Sequence, residues 1–148
     1  MRIYEVQLND ELLTKLISMS ADWEAENISH GYRKNERSDI ESNRIFLAIR
    51  NDEILGYLFG HTECAERTSP VMPEKTPYFE VEELYVASSH RNEGVGRALF
   101  GYAEQKAKED GMEFVMVATA TKDYKSILHF YIEELGMDFW SARLFKKL

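Results

Sequence analysis

The chain has 148 residues, a length that fits one domain, 1–148, with one hydrophobic core. Hydrophobic residues make up 44% and charged residues 30%, which is typical of a globular protein and excludes intrinsic disorder. The net charge of −8 disfavours nucleic acid and anionic membranes as partners and favours cationic ones.

No apolar run reaches the roughly 20 residues that a membrane span requires. The first ten residues lack the apolar stretch of a secretory signal. The single cysteine, Cys64, cannot form an internal disulfide, which fits a reducing compartment. These features predict a cytoplasmic protein.

The first 62 residues predict, in chain order, a strand, a helix, a polar loop and a β-hairpin. Asn9 or Asp10 caps the helix, and its apolar residues recur at helical spacing: Leu12, Leu13, Leu16, Ile17 and Trp23. Asn51 and Asp52 form a two-residue turn signal between the hairpin strands. The predicted ranges are a strand 2–8, a loop 27–42 with room for one short helix, and strands 44–50 and 54–62.

The remaining chain predicts alternating strands and helices after a loop that contains all three prolines. Gly111 and Gly136 are suited to end the two helices. The predicted ranges are strand 78–87, helix 94–110, strand 114–119, helix 126–135 and a final strand 139–145. This order predicts a mixed α/β fold, in which helices cover both faces of a central sheet.

The segment 91–97, with sequence RNEGVGR, joins a predicted strand to a predicted helix. Gly94 and Gly96 allow the backbone to turn sharply and to approach a ligand closely. The helix directs its free N–H groups and the positive end of its dipole into this loop. Arg91 and Arg97 add two positive charges that suit phosphate oxygens. The segment therefore predicts a pyrophosphate-binding loop.

Two other phosphate motifs are excluded by the residues of this segment. A P-loop requires Lys and then Ser or Thr after its second glycine, whereas Arg97 and Ala98 follow Gly96. A Rossmann fingerprint requires a third small residue where Leu99 stands. The structural alternative is an ordinary glycine-containing turn with solvated arginines.

With this loop and its flanks, the sequence resembles the GNAT superfamily of acyl-CoA N-acyltransferases. The signature of that family is Arg or Gln, two residues, Gly, one residue, then Gly or Ala, and Arg91, Gly94 and Gly96 match it. The preceding strand EELYV, 82–86, and the Leu-Gly ending of the helix 126–135 also resemble the family. The order of elements matches over nearly the whole chain. The resemblance implies a mixed, mostly antiparallel sheet with a V-shaped splay.

The resemblance implies acetyl-CoA as co-substrate, bound where strands 78–86 and 114–119 splay apart. Its pantetheine arm then pairs with the backbone of strand 78–86 as an extra strand would, and its pyrophosphate contacts N–H groups of 92–97. The implied cofactor-binding residues are Leu84, Tyr85, Val86, Arg91, Asn92, Glu93, Gly94, Val95, Gly96 and Arg97.

Transfer of an acetyl group to an amine requires a proton acceptor. An alkyl amine has a pKa near 10, so only about one molecule in a thousand is neutral at pH 7, which costs about 4 kcal/mol. Strand alternation places Glu80 and Glu82 on one face with Leu84, and Glu83 on the other, where we expect it to be solvated. The resemblance favours Glu80, then Glu82, as the catalytic base. The alternative is that these acids only attract a cationic substrate.

The family's usual catalytic acid is a tyrosine four residues before the helix-ending glycine. Here Ile132 has that position and Tyr131 precedes it. Either the helix carries a one-residue bulge, which would restore the placement, or Tyr131 faces the edge of the core. Tyr131 is the candidate acid, with Tyr85 and Tyr124 as weaker substitutes. The histidines lack metal-ligand spacing, so we predict no metal site.

These observations together predict an N-acetyltransferase that uses acetyl-CoA and direct attack in a ternary complex. The acidic strand and net charge favour a cationic small-molecule acceptor, such as a polyamine, an aminoglycoside or an amino acid derivative. Two alternatives stay open: acetylation of a protein N-terminus or lysine, and a non-catalytic acyl-CoA sensor or interaction module. Because only 12 residues follow Gly136, we expect the last strand to pair with a second chain or to leave a protected edge. A homodimer is favoured over a monomer.

Overall fold

The computed structural model describes residues 1–148 and contains one five-stranded sheet in the order β1-β2-β3-β4-β5. Neighbouring strands are antiparallel except β4 and β5, which are parallel. This confirms the predicted mixed, mostly antiparallel sheet. The strands are β1 Arg2–Val6, β2 Arg44–Arg50, β3 Glu53–Cys64, β4 Pro77–Val86 and β5 Phe114–Val117.

The helices begin and end close to the predicted positions. Asn9 caps the first helix, since its side chain accepts a hydrogen bond from the N–H of Leu12 at 2.8 Å. None of the helices combines the length and the apolar character that a membrane crossing requires. The helices are α1 Asp10–Glu26, α2 Arg37–Glu41, α3 Val95–Glu109 and α4 Tyr124–Leu128, and α4 continues into a π-helical turn, His129–Glu134.

Helices cover both faces of the sheet, as the sequence predicts. On one face, α3 packs Leu99 and Phe100 against the buried ring of Phe79 in β4. On the other face, α1 and the short α2 supply Leu16 and Ile40 to a second core. Burial of these apolar side chains on both faces holds β4 in the middle of the fold. Strand β4 carries several of the site residues that the sequence predicts.

Strands β4 and β5 pair only over four residues, Tyr78–Val81 opposite Phe114–Val117. Beyond Val117 the chain turns away and bonds to the segment that follows α1: the carbonyl of Ala120 accepts the N–H of His30 at 2.8 Å. Because β4 continues to Val86 without this neighbour, a V-shaped gap opens between the two strands. The predicted splay is confirmed, and the divergence explains why β5 ends two residues before the predicted 119.

A β-bulge interrupts β4 at Glu82. Glu83 lies opposite Phe59 of β3 and Val81 lies opposite Gly60, so Glu82 is the extra residue of the bulge. An inserted residue of this kind reverses the alternation of faces in the rest of the strand.

The predicted alternation of faces along β4 is therefore wrong. Leu84 and Val86 pack on the α3 side together with Val81, whereas Tyr85 belongs to the core under α1. Glu80 precedes the bulge and points away from the α3 side, so it shares a face with Glu83 instead of with Leu84. The bulge thus brings Glu83 to the α1 side of the sheet.

The predicted final strand, 139–145, is also wrong. The chain after Gly136 forms no regular structure and pairs with no strand. A strand requires a neighbour for its N–H and C=O groups, and this segment finds none within the chain. Several of its apolar side chains are exposed: Phe139, Trp140, Leu144, Phe145 and Leu148.

Candidate active site

The gap between β4 and β5 opens into a groove of about 1290 Å³. Its walls come from the segment after α1, the second half of β4, the loop before α3, and the chain from Val117 to α4 and its π-helical turn. Glu82, Glu83 and Tyr131 line it, whereas Glu80 and Glu93 do not. All the other predicted cofactor-binding residues line it: Leu84, Tyr85, Val86, Arg91, Asn92, Gly94, Val95, Gly96 and Arg97.

The loop 91–97 presents the N-terminus of α3 to this groove. Gly94 precedes the helix in the left-handed conformation, with φ of 81°, which glycine adopts without a steric penalty. No side chain caps the helix, so its first N–H groups are open to a ligand. A Cβ atom on Gly96 would lie 3.3 Å from Cζ of Phe130, so the backbone runs tightly under the last helix. This arrangement can bind an anion.

The backbone of β4 offers hydrogen-bonding groups to the gap. Ala87 donates its N–H to the carbonyl of Leu55 at 2.9 Å. Since residues of an antiparallel ladder alternate in direction, Tyr85 also uses its backbone groups toward β3, whereas Leu84 and Val86 direct theirs to the gap. An extended ligand can therefore pair with Leu84 and with the N–H of Val86. The backbone of Tyr85 is engaged by β3, and the carbonyl of Val86 already accepts a hydrogen bond from Arg91.

Arg91, predicted to contact phosphate, is held by the protein itself. Its Nη1 and Nη2 atoms lie 2.6 and 2.7 Å from the carboxylate oxygens of Glu26 at the end of α1. Its Nε atom donates to the carbonyl of Val86 at 3.0 Å. The hydrogen bond from Arg91 lowers the pKa of Glu26. Arg91 therefore ties the loop to α1, while Arg97 is more exposed and pairs with Glu134 at 2.8 Å.

We expect Arg91→Ala to destabilise the fold more than Arg97→Ala. The first change removes a bidentate ion pair and a hydrogen bond to Val86, worth about 2 kcal/mol. For a domain of this size, that lowers the melting temperature by roughly 4–8 °C. The exposed pair of Arg97 is worth less than about 1 kcal/mol. Thermal unfolding followed by circular dichroism measures both, and equal shifts would contradict a structural role for Arg91.

Glu83 is held by three side chains instead of being solvated, so that prediction is wrong. Its Oε2 atom accepts hydrogen bonds from Tyr57 at 2.9 Å, Asn35 at 2.9 Å and Tyr32 at 3.3 Å. Burial raises the pKa of Glu83, and these hydrogen bonds oppose part of the rise. The aperiodic loop 27–42 gave no signal for Tyr32 and Asn35, because their partner lies about 50 residues away in the sequence.

The other two acids of β4 have different surroundings. Glu82 is exposed on the bulge at the groove, with Oε1 3.5 Å from Nδ1 of His61. Glu80 is half-buried outside the groove and lies opposite His61 in the ladder with β3. Burial, followed by the charge of Glu82, raises the pKa of Glu80. Of the two predicted bases, Glu82 has direct access to a ligand in the groove.

The helix after Asp123 contains an extra residue, the first of the two alternatives that the sequence leaves open for Tyr131, and Tyr131 also packs against the core on the α3 side. In the π-helical turn, the N–H of Leu135 bonds to the carbonyl of Phe130 at 3.1 Å, five residues back. The turn places Tyr131 on the groove, with its ring edge-on to Phe100 at 6.2 Å. Burial raises the pKa of Tyr131 to about 12, so its hydroxyl stays protonated at neutral pH. Such turns are frequent at functional sites.

The remaining candidate residues are engaged elsewhere. The hydroxyl of Tyr85 donates to Glu26 at 3.1 Å, and Tyr124 lies outside the groove with 59% of its surface exposed. Glu93 pairs with Arg50 at 3.0 Å. The structure contains no group of three or more side chains that could hold a metal ion.

Solved structures of acetyltransferases share this fold at low sequence identity. An aminoglycoside acetyltransferase, meta-AAC0020 from an uncultured soil metagenomic sample, in complex with sisomicin, is 16% identical with a TM-score of 0.70. The match covers 99% of this chain and 95% of that one. Aminoglycoside N-acetyltransferase AAC(6')-Iy in complex with CoA is 15% identical, with a TM-score of 0.67 and coverage of 99% and 98%.

A third structure, described as a probable acetyltransferase, is 22% identical with a TM-score of 0.69, and the match covers 100% of this chain and 95% of that one. No curated protein matches the chain. The model of the acetyltransferase (GNAT) family matches residues 9–137, which include every residue that lines the groove. The chain belongs to the acetyltransferase (GNAT) family.

Proposed function

We propose that residues 1–148 form one acetyltransferase domain that transfers the acetyl group of acetyl-CoA to a primary amine of a cationic small molecule. The observation that carries this proposal is the distribution of charge along one groove. The open helix N-terminus at 94–97 suits the anionic pyrophosphate. The carboxylates of Glu82 and Glu83 suit a cationic amine where β4 and β5 separate.

In this proposal acetyl-CoA lies in the V-shaped gap. Its pantetheine arm pairs with the backbone groups of Leu84 and Val86, as an added strand would. The N–H groups of 92–97 bind the pyrophosphate, and Arg97 can exchange its exposed partner Glu134 for a phosphate oxygen. The tight approach at Gly96 supports this assignment, because a larger residue would intrude on the loop.

The proposed reaction is a direct attack in a ternary complex. Glu82, or Glu80 through a water molecule, takes a proton from the bound ammonium, which frees the nitrogen lone pair. The nitrogen then attacks the thioester carbon to give a tetrahedral intermediate. As this intermediate collapses, the carbon–sulfur bond breaks and the nitrogen loses its second proton to water, which leaves the neutral amide. Tyr131, whose pKa of about 12 keeps it protonated, can give a proton to the departing sulfur and regain one from water.

Two observations support a cationic small molecule as the acceptor: the negative charge of the protein and the kind of enzyme found among its structural neighbours. The chain carries a net charge of −8, and four carboxylates line the groove: Glu82, Glu83, Asp123 and Glu134. Two of the solved neighbours are aminoglycoside acetyltransferases, one of them in complex with sisomicin. Both observations favour a small polycationic acceptor over a protein terminus or lysine.

A screen for CoA release tests the proposal. Acetyl-CoA is mixed with polyamines, aminoglycosides, amino acids and peptides in turn, and the free thiol is measured with a chromogenic reagent. We expect turnover with at least one cationic small molecule, above the hydrolysis seen without an acceptor. Tight acetyl-CoA binding without turnover of any amine would instead support the sensor alternative.

We also propose a homodimer in the reducing cytoplasm, with Cys64 dispensable. A second chain would cover the exposed side chains of Trp140 and Phe145 and would pair with the outer edge of β5, which has no neighbouring strand. Sedimentation should give twice the 17.3 kDa chain mass, and Phe145→Asp should shift the protein to the monomer. A monomeric wild type at high micromolar concentration would contradict the dimer.

A further inference from the structure

The carboxylate of Glu83 is asymmetric: one oxygen is saturated and the other is open. Oε2 accepts all three hydrogen bonds, from Tyr57, Asn35 and Tyr32, and Oε1 accepts none. No buried side-chain oxygen in the structure lacks a partner, so Oε1 must be accessible to solvent. Glu83 lines the groove, and Oε1 is the oxygen of its carboxylate that is left to accept a hydrogen bond from a ligand there.

The three donors are themselves fixed, so Glu83 is oriented before a ligand arrives. Tyr57 is fully buried and stacks on Phe59 at 4.3 Å. Asn35 is 6% exposed, and its backbone N–H donates to Ser20 at 2.9 Å. A carboxylate that is held in one orientation binds a ligand without a further loss of side-chain freedom.

Glu83 also lacks a counter-ion. Its three hydrogen-bond partners are neutral, and Asp39 adds a like charge nearby. By contrast, the half-buried Glu26 has the guanidinium of Arg91 at 2.6 Å. A partly buried charge without an opposite charge is costly, and a cationic ligand in the groove would supply that charge.

The aromatic residues beside Glu83 restrict the kind of cation. Trp23 stacks on Tyr32 at 4.0 Å and on Tyr85 at 5.3 Å, with small interplanar angles of 27° and 18°. Trp23 is thus engaged with two tyrosine rings instead of standing alone in the groove. Selection among cations can come from hydrogen bonds to Oε1, which a primary ammonium donates and a quaternary ammonium cannot.

We propose that Glu83 is the residue that binds the acceptor's ammonium group, through Oε1, and that it selects primary ammonium groups over quaternary ones. This inference rests on the proposed function in one respect: it takes the amine that Glu83 binds to be the amine that is acetylated. Glu83 holds the cation, and removal of the proton belongs to the neighbouring acids.

The test measures binding of two probes, n-butylammonium and butyltrimethylammonium chloride, by NMR titration of the protein. We expect Glu83→Gln to weaken n-butylammonium binding by about tenfold, the value of one charged hydrogen bond. The amide keeps an oxygen for Tyr57, Asn35 and Tyr32, so the fold should be retained. The matched control is Glu66→Gln, which removes the same charge from an exposed position outside the groove and should have no effect.

A second variant, Tyr57→Phe, leaves the charge in place and removes one of the donors that fix it, and we expect affinity to fall by roughly threefold. Equal affinity in wild type and Glu83→Gln, or equal binding of the two probes by the wild type, would overturn the proposal. If Glu83-dependent binding persists but no amine is acetylated, the proposed function fails and this site stands. If an amine is acetylated with the same KM in Glu83→Gln, this site fails and the function stands.

Discussion

Replacing Gly96 by tryptophan is expected to abolish acetyl-CoA binding while the protein still folds. A Cβ atom at this position would already lie 3.3 Å from Cζ of Phe130 and 3.7 Å from Cγ2 of Val86, so the indole must extend over the N-terminus of α3. Loss of two charge-assisted hydrogen bonds to the pyrophosphate costs about 3 kcal/mol or more, which is at least roughly 100-fold in affinity. Isothermal titration calorimetry measures the change.

The matched control is Gly101→Trp on the same helix. A Cβ atom at Gly101 meets nothing within 4 Å, and the residue is exposed, so acetyl-CoA affinity should stay at the wild-type value. Circular dichroism should show cooperative unfolding of both variants. Wild-type affinity in Gly96→Trp would place the pyrophosphate elsewhere, and equal loss in both variants would show that the indole acts through the fold.

Replacing Glu82 by glutamine is expected to lower kcat at neutral pH by roughly 10²–10⁴, the usual contribution of a positioned base. Glutamine keeps the shape of the side chain and cannot accept the proton. Raising the pH deprotonates the amine in solution, so much of the lost rate should return as the pH approaches the amine's own pKa. The measurement is a pH–rate profile of CoA release with the best acceptor from the screen.

Two further variants separate the roles of the three acids. Glu80→Gln should give the larger loss if Glu80 acts through a water molecule. In that case the wild-type rate depends on the ionised form of Glu80, so it is present above the pKa of Glu80 and is lost as the pH falls through it. Because burial raises this pKa, the loss should occur at higher pH than for an ordinary glutamate. Glu83→Gln should mainly raise KM. A Glu80→Gln, Glu82→Gln double variant with a wild-type pH–rate profile would exclude both as the base.

The sequence by itself determined the features that depend on neighbouring residues. The hydrophobic pattern predicted β2 at its observed bounds, Arg44–Arg50. The turn at Asn51 and Asp52 has positive φ at both residues, 51° and 63°, as that dipeptide favours. The glycines of 91–97 indicated the loop before α3. The position of Tyr131 was compatible with a helical bulge, which the π-helical turn supplies. Backbone sterics and hydrophobic periodicity depend on neighbouring residues, so a single segment of the sequence is enough to predict these features.

Only the tertiary structure decided how the groove is arranged. The bulge at Glu82 arises from the register between β4 and β3. The residue type at this position does not predict a bulge. The partners of Glu83, and the pairing of Arg91 with Glu26, join residues that are tens of positions apart. The predicted strand 139–145 had the right residue pattern but no neighbouring strand within the chain. Each of these features depends on which distant segments pack together, because a hydrogen bond or ion pair forms only when the whole fold brings its two partners into contact.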